Sequence, residues 1–282
     1  MNMQPDCIPC LLRQALRGAK LVTDDQFTHH KVLKEIMEYF LGLSSFSIPP
    51  GEITSIIQEK LKQIVGHIDP YLEVKQKFNR LGLELYPELK EMVRDSTDPL
   101  LVSAKLAIAG NVIDFGAGYE VIELEKTVER VMIEPLAKDD YLKFRKAVAK
   151  SKEILYLADN AGEIVFDRIL IEELIKEGKK VTLVVKAAPI INDVTLEDAK
   201  FVGLDRIVPV VLSPALIGTP LDKCGPDFRH LFYKSDLIIS KGQGNFETLF
   251  GQEAPIFFLF QTKCQVVAEM LGVKFGQALL ME

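Results

Sequence analysis

The sequence predicts an α/β protein with a helical N-terminal part and a C-terminal three-layer α/β/α sandwich around a largely parallel sheet. In the first third of the chain, apolar residues recur at three- and four-residue spacing, as they do in amphipathic helices. The second half instead contains short, nearly continuous apolar runs, which suit strands buried on both faces. Two of these runs flank a helical pattern, which is the arrangement of a βαβ unit.

Four helical segments are predicted in the first hundred residues, at 10–22, 27–43, 53–68 and 71–93. The prolines of SIPPGE, residues 47–52, separate two of them, because proline lacks the backbone N–H and clashes with the preceding turn. DSTDP, residues 95–99, is a second break. Residues 101–118 are then expected to form a helix that runs into a glycine-rich turn. We assign residues 1–100 to a helical domain and 100–150 to a helical connection.

The strands are predicted at the apolar runs of the second half, which lie at 153–158, 180–186, 206–212, 236–241 and 255–260. Between the first two runs, EIVFDRILIEELIKEGKK has the pattern of an amphipathic helix closed by Gly178. Residues 150–282 are therefore expected to form the α/β/α domain that carries the functional site.

Composition excludes several classes of protein. The 282 residues carry a net charge of −6, which argues against a general nucleic-acid binder. No apolar run is long enough to span a bilayer, and the first residues do not resemble a signal peptide, so a cytoplasmic protein without membrane contact is expected. Four cysteines in a chain of this length do not suggest a disulfide framework. The oligomeric state is not predicted.

Polar side chains are concentrated directly after three of the predicted strands. In a parallel sheet the carboxyl ends of the strands share one edge, which is where such folds bind ligands. We therefore expect a binding or catalytic site there, drawn from Asp159, Asn160, Gly162 and Glu163 in the first loop, Lys186, Pro189, Asn192, Asp193 and Thr195 in the second, and Lys241, Gly242, Gln243, Gly244, Asn245 and Glu247 in the third.

Each loop also has a purely structural interpretation. Thr195 and Asp198 have the spacing of a helix N-cap and its supporting acid. Gly242 and Gly244 can serve as turn residues, and Asp159-Asn160 can cap the following helix. The simultaneous polarity of all three loops at one sheet edge favours the functional interpretation.

The residue types indicate phosphoryl chemistry. Two carboxylates and a carboxamide oxygen are hard ligands that suit magnesium or manganese, and no histidine lies in these loops to favour zinc. Lysines and the N–H groups at a helix start suit a phosphate. A dinucleotide fold is disfavoured, because Glu247 stands where the third glycine of KGQGNFE would belong. A Walker-A loop is absent from the sequence.

Three motifs in register resemble the damage-control phosphatase family: ADNAGE at 158–163, KAAPIINDVT at 186–195 and SKGQGNFE at 240–247. AGNVIDFG at 109–116 and Cys7-x-x-Cys10 are similar to its prokaryotic, cysteine-containing branch. The resemblance covers essentially the whole chain. It implies a helical orthogonal bundle joined to a three-layer α/β/α domain. It also implies a metal-dependent phosphatase acting on sugar phosphates, damaged phosphopantetheine or damaged nucleotides, supported by manganese, nickel, cobalt or magnesium.

The resemblance also implies roles for individual residues. Asp159, Asn160 and Asp193 would ligate the metal. Lys241 would bind the substrate phosphate, with Lys186 as a second candidate, and Glu163 would orient a water molecule. The remaining candidates for substrate binding are Asn111, Asp114, Gly244 and Asn245, although Asn111 can equally be a helix-end cap. The nucleophile stays open between a water molecule and a carboxylate. The Asp-x-Asp pattern of haloacid-dehalogenase phosphatases, in which the first aspartate is the nucleophile, is missing, because Asp159 is followed by Asn160 and Ala161. We favour a metal-activated water.

Three questions stay open at the level of sequence. A methyltransferase using S-adenosylmethionine is one alternative, although the usual glycine-rich loop after the first strand is missing. A non-enzymatic module that binds a phosphorylated metabolite is another. Cys7 and Cys10 share a helix face and are expected to be buried thiols, with metal binding or redox switching as the alternative.

Overall fold

The computed structural model describes residues 2–66, 69–111 and 121–282. The helices in chain order are α1 Cys7–Val22, α2 Gln26–Leu41, α3 Pro50–Val65, α4 Leu72–Arg94, α5 Pro99–Gly110, α6 Val121–Ile133, α7 Tyr141–Lys150, α8 Glu163–Lys176, α9 Leu196–Phe201, α10 Pro226–Lys234, α11 Gln243–Leu249 and α12 Gln265–Leu271. The strands are β1 Lys138–Asp139, β2 Glu153–Leu157, β3 Lys180–Lys186, β4 Val210–Ser213, β5 Leu237–Lys241, β6 Ile256–Gln261 and β7 Ala278–Met281.

Three of the N-terminal helices, α2, α3 and α5, begin where the sequence offers a cap or a proline. The Asp25 carboxylate accepts hydrogen bonds from the backbone N–H groups of Phe27 and Thr28 at the start of α2. Pro50 and Pro99 occupy the first positions of α3 and α5, where the missing N–H costs nothing. The proline-containing breaks predicted from the sequence therefore mark real helix boundaries.

The hydrophobic residues of α1, α2 and α3 form a core of their own. Ala15, Val32, Ile36, Ile57 and Leu61 are fully buried within it. Phe78 and Val93 of α4, in contrast, pack into the cluster that covers the sheet. The hydrophobic clusters thus divide between α3 and α4, whereas the domain boundary expected from the sequence lies at residue 100. The division into domains stays a prediction.

The described strands form a seven-stranded sheet in the order β1-β7-β6-β5-β2-β3-β4. The pairs β2–β3, β2–β5, β3–β4 and β5–β6 are parallel, and β6–β7 is antiparallel. From β2 the chain adds strands in one direction and then returns to add β5 on the other side. The point where the order reverses therefore lies between β2 and β5, which is where such sheets bind ligands.

Alternating side chains of the central strands enter two hydrophobic clusters on opposite faces of the sheet, as the pleat requires. Ile154 and Tyr156 belong to the cluster built with α4 to α9, and Leu155 and Leu157 belong to the one built with α10 to α12. This is the three-layer α/β/α arrangement, so the predicted fold class is confirmed. All five predicted strands are present, whereas β1 and β7 were not predicted. β1 has two residues, which give no periodicity.

Among the described residues, no helix is both long enough and apolar enough to cross a membrane.

Candidate functional site

The first two polar loops are joined directly to each other. Asn160 and Asp193 form an isolated antiparallel bridge just beyond the ends of β2 and β3. The N–H of Ala161 donates to the carbonyl of Asn192 at 2.9 Å, and the N–H of Val194 donates to the carbonyl of Asp159 at 2.9 Å. The structure therefore brings the three predicted metal ligands, Asp159, Asn160 and Asp193, to one place.

Two carboxamides hold the acidic side chains of the first loop. Asn111, which follows α5, donates from Nδ2 to Asp159 Oδ2 at 3.0 Å and to Glu163 Oε2 at 2.7 Å. Asn160 Nδ2 donates to the same two oxygens, at 2.6 Å and 3.2 Å. Asn111 is fully buried, and its own oxygen accepts the N–H of Gln261 at 3.2 Å. Asn111 thus orients Asp159 and Glu163, whether or not it also contacts substrate.

Lys241 lies behind the site and has no exposed surface. Its ammonium donates to Glu163 Oε1 at 2.6 Å, to Asp167 Oδ1 at 2.6 Å and to the carbonyl of Ala107 at 2.7 Å. An ammonium has three donors, and these three acceptors account for all of them. A contact with a substrate phosphate would require Lys241 to give up one of these bonds, so that role stays a prediction while the structure supports a positioning role.

The other predicted substrate-binding residues have local partners. Lys186 is buried; its ammonium donates to the carbonyl of Gly218 and lies 3.7 Å from Asp193 Oδ2. Asn245 donates to the carbonyl of Lys241 at 2.8 Å and accepts from the Thr219 hydroxyl at 2.7 Å. Gly244 lies in the first turn of α11. Asp114 lies outside the described residues.

Helix α4 contributes two buried polar side chains, Lys75 and Asn79, that the sequence analysis missed. Asn79 accepts the N–H of Gly162 at 2.6 Å and donates to Asp198 Oδ1 at 2.9 Å. Lys75 forms an ion pair with Asp198 Oδ2 at 2.7 Å. Asp198 also accepts the backbone N–H of Thr195, which confirms the predicted helix-start pairing. The α4 side chains therefore fix the first loop relative to the second.

The sequence analysis also missed a second buried polar group, Tyr156 and Asp167, which lies next to Lys241. The Tyr156 hydroxyl donates to Asp167 Oδ1 at 2.7 Å, and Asp167 Oδ2 is buried and has no hydrogen-bond partner among the described residues. Asp167 stands four residues after Glu163, hence on the same face of α8. That spacing, like the Lys75 and Asn79 pair on the buried face of α4, was the available sequence signal: charged or polar residues on a helix face that otherwise packs inward.

Burial and mutual repulsion shape the electrostatics of the site. Burial raises the pKa of Asp159 well above its usual value, and the nearby charges of Glu163 and Asp193 raise it further. Burial also raises the pKa of Asp193 to about 6, although Lys186 opposes the shift. Burial lowers the pKa of Lys186. A further positive charge among these carboxylates would relieve their repulsion.

The donor set fits a hard divalent cation. Asp159 Oδ1 and Asn160 Oδ1 accept no hydrogen bond from the described residues, and Asp193 is the bridge partner of Asn160. No group of three or more His, Cys, Asp or Glu side chains in the described ranges can hold a metal ion. The Asn160 carboxamide would add an oxygen ligand of the kind that magnesium and manganese accept and zinc does not favour.

We expect the stability of the metal-free protein to depend on pH through the titration of Asp193. Its pKa is about 6 in the folded protein and about 3.9 in an unfolded chain. The stabilising contribution of its protonated form is complete below pH 4 and is lost as the pH rises through 6. In chelator-treated protein, Asp193→Asn should therefore gain stability relative to wild type between pH 4 and 7, measured by denaturant unfolding. The pairing of ionised Asp193 with Lys186 is already contained in this pKa, because Lys186 lowers it against the effect of burial. A flat difference, like that of the exposed control Asp205→Asn, would contradict this.

Gly242, at the end of β5, leaves room for the Asp159 carboxylate. Its φ is 79°, and a Cβ atom there would lie 1.9 Å from Asp159 Oδ2. Gly251 has a similar φ of 88°, but a Cβ atom at that position would meet nothing within 4 Å. A comparison of alanine substitutions at Gly242 and Gly251 therefore distinguishes the effect of backbone strain from the effect of a side chain that enters the site.

We expect Gly242→Ala to lower phosphate-ester hydrolysis by about a hundredfold or more, because Asp159 has to move. Gly251→Ala should cost about 1 kcal/mol of stability from strain alone and leave hydrolysis unchanged. Steady-state kinetics and thermal unfolding of both variants measure this. Equal activity of the two variants would show that Asp159 tolerates displacement.

Four cysteines are free, and three of them line one cavity. Cys7 is buried and Cys10 is exposed, both in the first turns of α1, and Cys264 precedes α12. Burial raises the pKa values of the Cys7 and Cys10 thiols. Both are therefore protonated thiols at neutral pH; the prediction that both are buried is wrong for Cys10.

Fold and site together define a three-layer α/β protein with a carboxylate-rich site at the strand-order reversal of a mostly parallel sheet. Residues 3–279 match the family model of the damage-control phosphatase ARMT1-like domain. The chain therefore belongs to the damage-control phosphatase ARMT1-like family, as the motifs indicated.

Similar proteins span the whole chain. An uncharacterized protein of Methanocaldococcus jannaschii is 37% identical and covers 100% of this chain and 96% of its own length. A damage-control phosphatase of Archaeoglobus fulgidus is 34% identical over 98% of this chain and 97% of its own. The crystal structure of a DUF89 family protein from Pyrococcus horikoshii has a TM-score of 0.91 at 34% identity, over 100% of this chain and 99% of that one.

Proposed function

We propose that this protein is a cytoplasmic, metal-dependent phosphatase of metabolite damage control. Its substrates would be small phosphorylated metabolites, such as sugar phosphates, damaged phosphopantetheine or damaged nucleotides. The observation that carries the proposal is the convergence of Asp159, Asn160 and Asp193 at the sheet edge, with Glu163 beside them and oxygen atoms left for a cation. Membership of a family with curated damage-control phosphatases supports it.

Asp159, Asn160 and Asp193 would hold manganese, nickel, cobalt or magnesium. Such a cation supplies a polarised phosphoryl oxygen and a more acidic bound water. The protein's own contribution is orientation. Asn111 fixes the direction of Asp159 and Glu163, and the ion pair with Lys241 keeps Glu163 from turning away. Glu163 Oε2 faces the same carboxamides as Asp159. In this proposal Glu163 orients the attacking water and accepts a proton from it.

Phosphate release from a panel of phosphate esters tests the proposal. Chelator-treated protein is assayed alone and after addition of magnesium, manganese, cobalt or nickel. Release should need metal, and the preferred ester should begin to define the substrate. Absence of release with every metal and ester would overturn the proposal. Calorimetric titration with S-adenosylmethionine would then test the methyltransferase alternative, and titration with the esters would test a binding module.

A further inference from the structure

Three thiols around one cavity have no part in the function described so far. Cys7 and Cys10 lie in the first turns of α1, and Cys264 is the residue before α12. All three line the same cavity of about 360 Å³. Cys7 belongs to the hydrophobic cluster of α1, α2 and α3, whereas Cys264 packs against the cluster built with α10 to α12. The cavity therefore brings together thiols from two separately packed parts of the chain.

The three thiols differ in what holds their side chains. Cys7 is buried, and its sulfur accepts the backbone N–H of Gln4 at 3.4 Å. Cys10 is exposed. Cys264 is partly buried, its backbone is extended, and its side chain makes no capping hydrogen bond at the start of α12. The Cys7 side chain is thus fixed, whereas Cys10 and Cys264 can rotate without the loss of a cap or of core packing.

The electrostatics of the thiols indicate that Cys264 is a close neighbour of α1. Burial raises the pKa of Cys10, and the charge that Cys264 carries as a thiolate raises it further; Cys264 acts on Cys7 in the same direction. Such an effect requires proximity, because the interaction of two charges falls with distance. A metal does not account for the grouping, since no three His, Cys, Asp or Glu side chains in the part of the chain that the structure describes can hold one. A disulfide requires only two thiols, with Cβ atoms about 3.5–4.5 Å apart.

Two arginines lie beside Cys10 on the exposed side of α1. Arg13 and Arg17 follow Cys10 by three and seven residues, which places them on the same helix face. Both are exposed, and both lower the pKa of Cys10 against the effect of burial. Their charges favour a negatively charged reactant at this thiol. The raised pKa reduces the thiolate fraction but leaves a stronger nucleophile, so exchange with a disulfide is slow at neutral pH and still proceeds.

We propose that Cys10 and Cys264 form a reversible disulfide across the cavity, with a small anionic disulfide as the oxidant. The exposed Cys10 attacks one sulfur of the small disulfide; its S–S bond breaks, and one small thiol leaves with the proton that Cys10 gives up. Cys264 then attacks the Cys10 sulfur and displaces the second small thiol. The protein loses two electrons and two protons, and the small disulfide gains them as two thiols. The bond joins the unit of α1, α2 and α3 covalently to the α/β part.

Peptide mapping of the full chain under non-reducing conditions tests the bond. Reduced protein is treated with oxidised glutathione, which is anionic, and the remaining thiols are alkylated. Trypsin leaves Cys7 and Cys10 together on residues 1–13, so wild type is compared with Cys7→Ala and Cys10→Ser. Residues 1–13 should be linked to residues 264–274 in wild type and in Cys7→Ala, but not in Cys10→Ser. The buried Cys224 should stay a free thiol throughout.

Thermal unfolding gives a second readout of the same bond. Oxidised wild type should unfold at a temperature roughly 5–15 °C above that of reduced wild type, because a bridge between residues 10 and 264 restricts the unfolded chain. The difference should disappear in Cys264→Ser, and an equal shift there would contradict the bond. A disulfide within residues 1–13, glutathione that stays attached to Cys10, or three free thiols after treatment would each overturn the inference.

Reaction rates test the assignment of an anionic oxidant. Replacement of both Arg13 and Arg17 by glutamine should slow disulfide formation with oxidised glutathione several-fold and leave the rate with uncharged hydroxyethyl disulfide unchanged. Added salt should reduce the difference between wild type and the double variant. Lys31→Gln, which removes an exposed charge of α2, is the control and should react as wild type. Equal rates of change with both disulfides, or no change with either, would overturn the assignment.

Discussion

Replacement of Asp159 by asparagine is expected to lower kcat/KM for ester hydrolysis by about a thousandfold while leaving the fold intact. The variant keeps the size of the side chain and an oxygen that can accept from Asn111 and Asn160. It removes the negative charge that would hold the cation. Metal-dependent phosphate release measures the loss, and manganese titration should show weaker binding in parallel.

The same substitution should preserve or raise thermal stability. Burial and the charges of Glu163 and Asp193 raise the pKa of Asp159, so its ionised form is disfavoured in the folded protein. A neutral amide does not experience that repulsion. A higher midpoint of unfolding with lost activity would show that the site sacrifices stability for function. Full activity in a folded Asp159→Asn protein would remove the basis of the phosphatase proposal, and Asp205→Asn controls for charge.

Replacement of Lys241 by methionine is expected to destabilise the protein by about 3–5 kcal/mol, the range for breaking a buried ion pair from one side. Glu163 and Asp167 would keep their burial and lose their shared partner. Burial raises the pKa of Asp167 to about 7 even with Lys241 present. Denaturant unfolding measures the change, with the exposed Lys234→Met as the control.

The pH dependence of that loss has a definite sign. Without Lys241, the folded-state pKa of Asp167 moves further above its unfolded value. Its stabilising contribution is then complete near pH 4 and is lost as the pH rises through 7 and above. The deficit of Lys241→Met should therefore be largest at pH 8 and shrink toward pH 5. Adding Asp167→Asn should recover part of the stability at pH 8; failure to recover any would show that the two charges are not coupled.

The sequence predicted the parts of the site that depend on strand ends. Apolar runs locate β2, β3 and β5, and the strand-end rule brings Asp159, Asp193 and Lys241 to one edge without any knowledge of side-chain direction. The helix start at Thr195 was equally accessible, because its pairing with Asp198 is local in sequence.

Contacts between distant segments were not accessible in this way. Asn79 reaches Gly162 and Asp198 across 83 and 119 residues, and no local spacing indicates that pairing. Lys241 is the last residue of β5, a position that suits a phosphate-binding lysine. Its side chain nevertheless points inward, toward Asp167 on α8.

The separate core of α1, α2 and α3 has a consequence for how this family diversifies. The chemistry of the site depends on α4, α5 and the sheet, through Asn79, Asn111 and the strand ends. The cavity that Cys7, Cys10 and Cys264 line takes one wall from α1, whose packing partners are mainly α2 and α3. Substitutions in the unit formed by α1, α2 and α3 can change the shape of the cavity without changing the residues at the strand ends. The cavity and the strand-end site can then evolve at different rates within a single chain.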